Sequence, residues 1–437
     1  MNSQFWFGLI LAAALIGPLA YALLSARQIS RNAYIFNDGQ SGFAATLAGV
    51  VCGNMGVGTF VAIMLFSQAS LVIGLSLALA YMLGLFLCAF LAPFVQRFAQ
   101  QYGASGLVDL IVLAHNIKHP FGVWLPIASV FLLRAAVQLL ALAALLSSIF
   151  TLSTGQAILL STLVTGGYTA FGGYRAATRT DIFQALLIVG GMVALFLANF
   201  GAVTTPQAPF WDLGPYRWPL LVGVWLFIPV SAVLAVDNWQ RMVVAKDLNV
   251  ARWGFLIGAP LCGICYLIIY WLGVNSTLIG DMSGTLRALM PESAPWLADI
   301  LLIAVIMSTI DTFIMPLMSG AQRSQLQVPQ LRLLVAALFV FIGLLAWLLG
   351  DMLQSVIAAF SALVAFLPAV WATFFVPHKM PRTIVASLCL GVVSTFLFTM
   401  VDVNLAAFVG FVVAGLVVGI GWQAAIAQTK RSRAPQY

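Results

Sequence analysis

The chain has 437 residues, of which 62% are hydrophobic and only 7% charged, and its mean hydropathy is +1.06. A water-soluble domain of this length could not cover its surface with so few charges, so the composition excludes a soluble protein. The net charge of +7 and the pI near 9.3 come from basic residues scattered singly along the chain. This scatter disfavours a nucleic-acid-binding patch.

Apolar stretches of about 20 residues recur from end to end, each long enough to cross a hydrocarbon core of about 30 Å as a helix. They predict an all-α membrane protein with thirteen spans, at roughly 5–25, 42–68, 71–95, 122–149, 155–171, 180–200, 217–238, 252–273, 296–320, 332–350, 354–376, 382–401 and 404–426. The first span resembles a signal peptide, but no Lys or Arg precedes Arg27, so we expect it to be retained.

The basic residues predict the orientation of these spans, because cytoplasmic loops carry an excess of Lys and Arg. With the N-terminus outside, 16 of the 19 basic residues fall in inside loops: Arg27, Arg31, Arg97, Lys118, Arg175, Arg179, Arg241, Lys246, Arg252, Arg323, Arg332, Lys379, Arg382, Lys430, Arg431 and Arg433. Arg217 and Arg287 fall outside, and Arg134 lies within a span. We therefore predict an external N-terminus and an internal C-terminus.

Residues typical of catalysis or of resident metals are sparse. The cysteines all fall within predicted spans, which disfavours disulfides, and Cys262 and Cys265 fit core packing better than metal or redox work. The histidines His115, His119 and His378 fall in predicted inside loops, apart from any carboxylate cluster. We expect no enzyme activity and no cofactor. The inside stretch 96–120 is long enough for a short surface helix.

Two predicted spans are interrupted at corresponding positions. The span at 42–68 carries four glycines around Asn54, and the span at 217–238 carries Gly223 and Pro229. Paired broken helices in two halves of a chain indicate an inverted repeat with a transport site near the bilayer midplane. Close helix packing through Gly-x-x-x-Gly is the alternative explanation for part of this pattern.

Two polar clusters lie inside otherwise apolar spans, where an unsatisfied polar group costs several kcal/mol. One is Val-Cys-Gly-Asn-Met-Gly-Val-Gly-Thr-Phe at 51–60, and the other is Ala-Val-Ile-Met-Ser-Thr-Ile-Asp-Thr at 304–312. With the segments 172–184 (Gly-Gly-Tyr-Arg-Ala-Ala-Thr-Arg-Thr-Asp-Ile-Phe-Gln) and 237–252 (beginning Asp-Asn-Trp-Gln-Arg), they make the chain resemble the sodium:solute symporter family. That family includes sodium-coupled sugar, proline, pantothenate and sialic-acid transporters.

The resemblance implies a LeuT-like fold of five plus five helices in inverted repeat. We expect an extra N-terminal helix in 1–41, the first repeat in 42–200, an external loop at 201–216 and the second repeat in 217–401. Residues 402–437 would hold the extra C-terminal helix and a cytoplasmic tail.

The resemblance also implies a sodium site between the first broken helix and the eighth core helix. Its ligands would be the carbonyls of Cys52, Met55 and Val305 and the hydroxyls of Ser308 and Thr309. A hard cation prefers about five or six oxygens, and an unwound helix frees carbonyls to supply them. Alternatively, the two hydroxyls bond to carbonyls one turn earlier, as is common in membrane helices.

Two acidic residues are candidates for the ion path. The family places an acidic residue where Asp181 stands, although Arg179 could neutralise it as a boundary pair. Asp311 lies one turn beyond Ser308 and needs a cation, a proton or Arg134 as its partner. Asp237 is expected at a loop boundary.

The predicted solute site combines Asn54 and Thr59 with Arg134, Gln138 and Trp225. Arg134 lies near the middle of its span, where a charge marks a site or a buried pair with Asp311. A guanidinium facing the central cavity would bind a carboxylate through two parallel hydrogen bonds. We therefore hypothesise a carboxylate-bearing solute.

The composition of the sixth core helix argues against a sugar as the solute, because a sugar needs many hydrogen bonds. Its run at 229–236 is almost wholly apolar. Trp225, in the same span, fits a substrate gate and a core filler equally well.

The sequence thus predicts a symporter of a bacterial-type inner membrane that imports a small organic solute with Na+. The alternatives are a proton-coupled transporter and a sensory module with a transporter fold. A sensor would need an attached signalling domain or a partner chain, and the sequence runs to Tyr437 without such a domain.

Overall fold

The computed structural model describes residues 3–200, 209–275, 282–322, 324–349 and 352–433. Within these ranges the chain forms α1 (Ser3–Ser25), α2 (Arg31–Phe36), α3 (Phe43–Asn54), α4 (Val57–Ala69), α5 (Leu71–Tyr102), α6 (Leu107–Ala114), α7 (Phe121–Phe150), α8 (Thr154–Asn199), α9 (Trp218–Leu234), α10 (Val236–Val244), α11 (Leu248–Asn275), α12 (Met282–Leu289), α13 (Leu297–Ile314), α14 (Val328–Leu348), α15 (Met352–Val364), α16 (Leu367–Phe375), α17 (Pro381–Thr399) and α18 (Ala406–Arg433). The predicted all-α class is confirmed.

Ten helices in the described ranges are long and apolar enough to cross a membrane, or up to twelve spans if each of two bent pairs counts as one. Helix α13 and the 3-10 helix that follows it, Met315–Ala321, form the most enclosed of these candidates, with every residue of the apolar window buried. The core therefore lies along α13, with α3, α7 and α8 packed around it.

Helix α8 folds back on itself at Gly173, which has φ 60° and ψ −164°, outside the helical region. The Tyr168 hydroxyl donates to the Met307 carbonyl, while Gly191 lies against Leu301. A straight helix would separate residues 168 and 191 by about 35 Å, whereas residues 301 and 307 of α13 are about 9 Å apart. The two halves of α8 thus both contact α13, although the residues 172–179 that we predicted as a loop are mostly helical.

Both predicted helix interruptions exist, but only one lies where the sequence placed it. Helices α3 and α4 meet at a 51° bend around Met55 and Gly56, within the glycine-rich run. Helices α9 and α10 meet at a 46° bend at Ala235. Gly223 and Pro229 lie inside α9, so the prediction of a break at these two residues is wrong.

Three further regions differ from expectation. Helix α6 is largely buried, rather than a surface helix, because its apolar residues pack between α5, α7 and the segment after α13. A further short helix, α12, precedes α13. The segment 217–401, assigned to the second repeat, holds one long helix more than a five-helix unit, since α17 packs mainly against α18.

The segment after α1 closes one end of the bundle. The Arg31 guanidinium donates to four carbonyls between Ala321 and Leu326, at 2.8–2.9 Å. Ser41 pairs through its backbone with Val244 and Lys246, at the end of α10. These contacts bridge the two halves of the chain on the side where the basic loops lie.

Candidate functional site

The break between α3 and α4 faces the polar segment of α13. The Thr309 hydroxyl lies 3.2 Å from the Cys52 carbonyl oxygen and 2.6 Å from the Val305 carbonyl oxygen. The Ser308 hydroxyl lies 3.2 Å from the Val305 oxygen, and both hydroxyls are fully buried. Four of the five residues predicted to hold sodium therefore meet at one point.

Met55, the fifth, occupies the break itself. It ends α3 with φ −97° and ψ 34°, and a Cβ on the adjacent Gly56 would lie 2.9 Å from Thr309 Cγ2. The close approach of α13 thus requires glycine here. Carbonyls at the end of α3 lack the partners of a continuous helix, so the cluster has the hard oxygen ligands that Na+ prefers. The bonds from the hydroxyls to Val305 also match the alternative of simple back-bonding.

A second polar cluster, called the inner cluster, lies on the side of this point where Ser41 pairs with Val244, around a cavity of about 20 Å³. Its charged lining groups are three carboxylates and one guanidinium: Asp181, Asp237, Asp311 and Arg241. Each carboxylate has one buried oxygen without a hydrogen-bond partner in the described chain. When all three carboxylates are ionised, the cluster carries two more negative than positive charges and attracts cations.

Arg241 and Asp237 occupy positions that the sequence interpretation misjudged. Both lie in α10, buried rather than in an inside loop or at its boundary, and their side chains pair at 2.8 Å. A Cβ on Gly53 would lie 2.7 Å from Arg241 Nη1, and one on Gly49 would lie 2.7 Å from Nε. These glycines make room for a guanidinium, not for a neighbouring helix. The i, i+4 spacing of the two charges was the signal available in the sequence.

Arg134 lies in a separate small cavity on the other side of the sodium candidate. Its guanidinium carbon is 4.1 Å from the ring centre of Phe313, 4.8 Å from that of Phe360 and 5.2 Å from that of Phe131. Its Nη1 atom is buried without a hydrogen-bond partner in the described chain. The three rings stabilise the cation and leave its hydrogen-bonding edge free. The sequence interpretation missed this aromatic cage.

The structure does not form the alternative pair of Arg134 with Asp311. On α13, Phe313 faces the Arg134 cavity while Asp311 faces the inner cluster. Positions two apart on a helix differ by about 200° in direction. The salt bridges found within the described ranges join Arg217 to Asp402, Arg241 to Asp237 and Arg287 to Asp299.

The Arg134 cavity collects three of the five predicted solute-binding residues. Thr59 and Gln138 line it together with Arg134. The Gln138 side-chain oxygen accepts from the Val57 amide at 3.0 Å, which satisfies a donor left free at the start of α4. Asn54 instead bonds to Asn238 at 3.1 Å. Trp225 is 43% exposed and does not line this cavity.

Comparison with known proteins confirms the predicted resemblance to the sodium:solute symporter family, whose model matches residues 34–210. The sodium/pantothenate symporter of Haemophilus influenzae is 26% identical over 224 residues, which cover 45% of this chain. The match spans 46% of that relative, about half its length. The family and this relative are transporters rather than enzymes.

Several solved structures share the fold. A Na+-coupled sialic acid symporter in a substrate-bound outward-open state has a TM-score of 0.73 at 17% identity, covering 96% of this chain and 98% of that one. A nucleobase-cation-symport-1 family transporter in a closed conformation has a TM-score of 0.63 at 15% identity, covering 92% and 96%. A manganese transporter of Eremococcus coleocola has a TM-score of 0.52 at 13% identity, covering 88% and 92%. At these identities the similarity concerns architecture.

Proposed function

Because the chain resembles sodium:solute symporters in sequence and such transporters in fold, we propose that it is a sodium-coupled secondary active transporter importing a small organic solute by alternating access. The observation that carries this proposal is the break at Met55 and Gly56. It brings the Cys52 carbonyl of α3 within 3.2 Å of the Thr309 hydroxyl of α13, although these residues are far apart in the sequence. A broken helix facing polar groups of another repeat is the usual form of an ion site in such folds.

The proposed coupling ion binds between α3 and α13. Its ligands are the carbonyls of Cys52, Met55 and Val305 and the hydroxyls of Ser308 and Thr309. Each hydroxyl turns its proton away from the ion, so that its oxygen lone pair is available. The membrane potential adds about 2.3 kcal/mol per charge per 100 mV to the inward driving force.

Asp181 and Asp311 form the proposed ion path from this site to the inside. Both line the inner cluster, which begins one helical turn beyond Ser308. Their unpartnered oxygens offer successive stations to a cation. The same carboxylates could instead carry a proton, which is the alternative form of coupling.

The proposed solute carries a carboxylate, as an amino acid or a small organic acid does. Arg134 is held by three aromatic rings with its Nη1 atom unpartnered. Thr59 and Gln138 line the same cavity and add polar groups. A guanidinium already desolvated by rings forms a strong charge-assisted bond with a carboxylate that enters.

We further propose thirteen spans with the N-terminus outside. Counting each half of α8 as one span adds one to the twelve obtained by joining the bent pairs. The localisation is a bacterial-type inner membrane.

Flux into proteoliposomes, with sodium and proton gradients imposed separately, tests the function. Uptake of a carboxylate-bearing solute from an amino-acid and organic-acid panel should follow the sodium gradient and persist at equal pH. Uptake that follows only the proton gradient would establish the alternative coupling. Binding without gradient-driven uptake of any panel member would favour the sensory alternative.

A further inference from the structure

A large pocket at the inner membrane face is separate from both polar clusters of the transport path. It has a volume of about 810 Å³ and lies where α7 and α17 begin. Its cationic lining residues are Lys118, Lys379 and Arg382, with His119 beside them, and none of its lining residues is acidic. We call these residues and the space between them the basic pocket.

The walls of the basic pocket are fixed by contacts of His115, at the end of α6, with α16 and with the residue before α17. The His115 ring lies 3.2 Å from the Thr373 hydroxyl through Nε2, and its Nδ1 accepts from the Met380 amide at 3.3 Å. At its floor the first turns of two helices touch, since a Cβ on Gly122 would lie 3.0 Å from Val385. The pocket is thus a built concavity with a defined floor.

The electrostatics of the basic pocket favour an anion. Lys118, Lys379 and Arg382 take part in none of the salt bridges of the described chain, and all three are exposed. The N-terminal ends of α7 and α17, which carry partial positive charge, converge on the same space. Three cations without a carboxylate partner leave the site positive unless an anion enters.

The surroundings identify the source of that anion as the bilayer. Large apolar side chains lie exposed along the same two helices, with Phe121 63%, Leu125 47% and Leu390 50% accessible. Such side chains face acyl chains in a membrane-spanning helix. Basic pockets between such helices at the cytoplasmic face suit acidic headgroups.

We propose that the basic pocket binds the phosphate headgroup of an anionic phospholipid, with the acyl chains lying along α7 and α17. The phosphate contacts Lys118, Lys379 and Arg382. Because His115 ties the pocket to Thr373 and Met380, the bound lipid also joins the α6–α7 connection to the α16–α17 connection.

Native mass spectrometry of the detergent-solubilised full chain, titrated with phosphatidylglycerol or phosphatidylcholine, tests this proposal. We expect the wild type to bind the anionic lipid preferentially. Since each basic residue near an anionic headgroup contributes about fivefold in affinity, Lys118→Gln/Lys379→Gln/Arg382→Gln should weaken binding at least about tenfold.

The matched control removes three exposed basic residues from the same face outside the pocket. Arg97→Gln/Lys246→Gln/Arg252→Gln changes the net charge equally and should leave the tight binding nearly intact. An equal loss in both triple variants would reduce the effect to general charge attraction and overturn the proposal. So would equal binding of the two lipids.

Two further measurements separate the remaining explanations. Ala386→Trp fills the pocket without changing charge and should also abolish tight lipid binding; unchanged binding would contradict the proposal. Millimolar inorganic phosphate should not displace the lipid, and full displacement would identify a soluble-anion site instead. If the triple variant fails to fold, Lys118→Gln and Ala386→Trp decide the question.

Discussion

At the residue scale, the geometry of Ser308 and Thr309 fits two explanations, a sodium site and simple back-bonding within a membrane helix. Their hydroxyls bond to the Val305 carbonyl in the manner of ordinary membrane helices. Thr309 also lies 3.2 Å from Cys52 on another helix, which back-bonding does not require. Transport measurements separate the two explanations because they respond to the ion and not to helix stability alone.

The double substitution Ser308→Ala/Thr309→Ala should raise the sodium concentration for half-maximal uptake tenfold or more, because the site loses two of its few oxygen ligands. A tenfold change corresponds to about 1.4 kcal/mol of binding free energy. The measurement is uptake into proteoliposomes over a sodium series. Thr162→Ala/Thr169→Ala is the control, since both hydroxyls back-bond within α8. Unchanged sodium dependence in a properly folded double variant would leave back-bonding as the sufficient explanation.

Arg134→Lys should raise the half-saturation concentration for solute while leaving the sodium response nearly intact. Lysine keeps the charge but loses the planar donor pair and its stacking on the rings. Uptake kinetics at saturating sodium provide the measurement. Arg217→Lys, at an exposed ion pair with Asp402, should change neither quantity. Normal solute affinity in Arg134→Lys would contradict a carboxylate contact at this residue.

At the element scale, the helix breaks and the fit of α10 against α3 position the polar groups. The first break was recognisable from glycine density, whereas the second lies at Ala235, a residue without breaker character. Arg241 enters the groove formed by Gly49 and Gly53 because those residues lack side chains. The packing of this guanidinium therefore predicts that an alanine is tolerated less well at Gly53 than at a helical glycine with open space beside it, such as Gly190.

Gly53→Ala should destabilise the protein, by about 1–3 kcal/mol as in overpacked cores, because the new methyl group collides with the Arg241 guanidinium. Gly190→Ala is the matched control, since a Cβ there meets nothing within 4 Å. Thermal unfolding in detergent should show a lower Tm for the first variant alone. Equal Tm values would mean that Arg241 moves aside freely.

The connection after α6 should loosen as the pH falls. Burial lowers the pKa of His115 to about 4, below its ordinary value of about 6.5. Between these values the unfolded chain binds a proton that the folded chain excludes, so stability is full above pH 6.5 and declines toward pH 4. The Tm should therefore fall from pH 7 to pH 5, and less so in His115→Gln. An equal decline in both proteins would place the sensitive group elsewhere.

At the scale of the whole molecule, the two halves of α8 and the two bent pairs determine the number of spans. The number of spans decides on which side of the membrane each loop lies. A reporter fused after Tyr437 should behave as cytoplasmic, because the basic residues favour that side. One inserted between Asn275 and Ser283 should behave as external, because these residues follow the predicted span at 252–273. Labelling of the C-terminal fusion from outside would overturn the orientation and the direction assigned to the ion path.

The sequence by itself determined the fold class, the family resemblance and the break around Gly56, because hydropathy, glycine density and local motifs are properties of short segments. It also placed Thr59, Arg134 and Gln138 together as solute-binding candidates. Only the tertiary structure decided which partner each buried charge has. Arg134 lies against the rings of Phe313 and Phe360, which belong to helices far along the chain, and Arg241 lies against Gly49 and Gly53 of α3. Spacing along one helix cannot specify what packs against it.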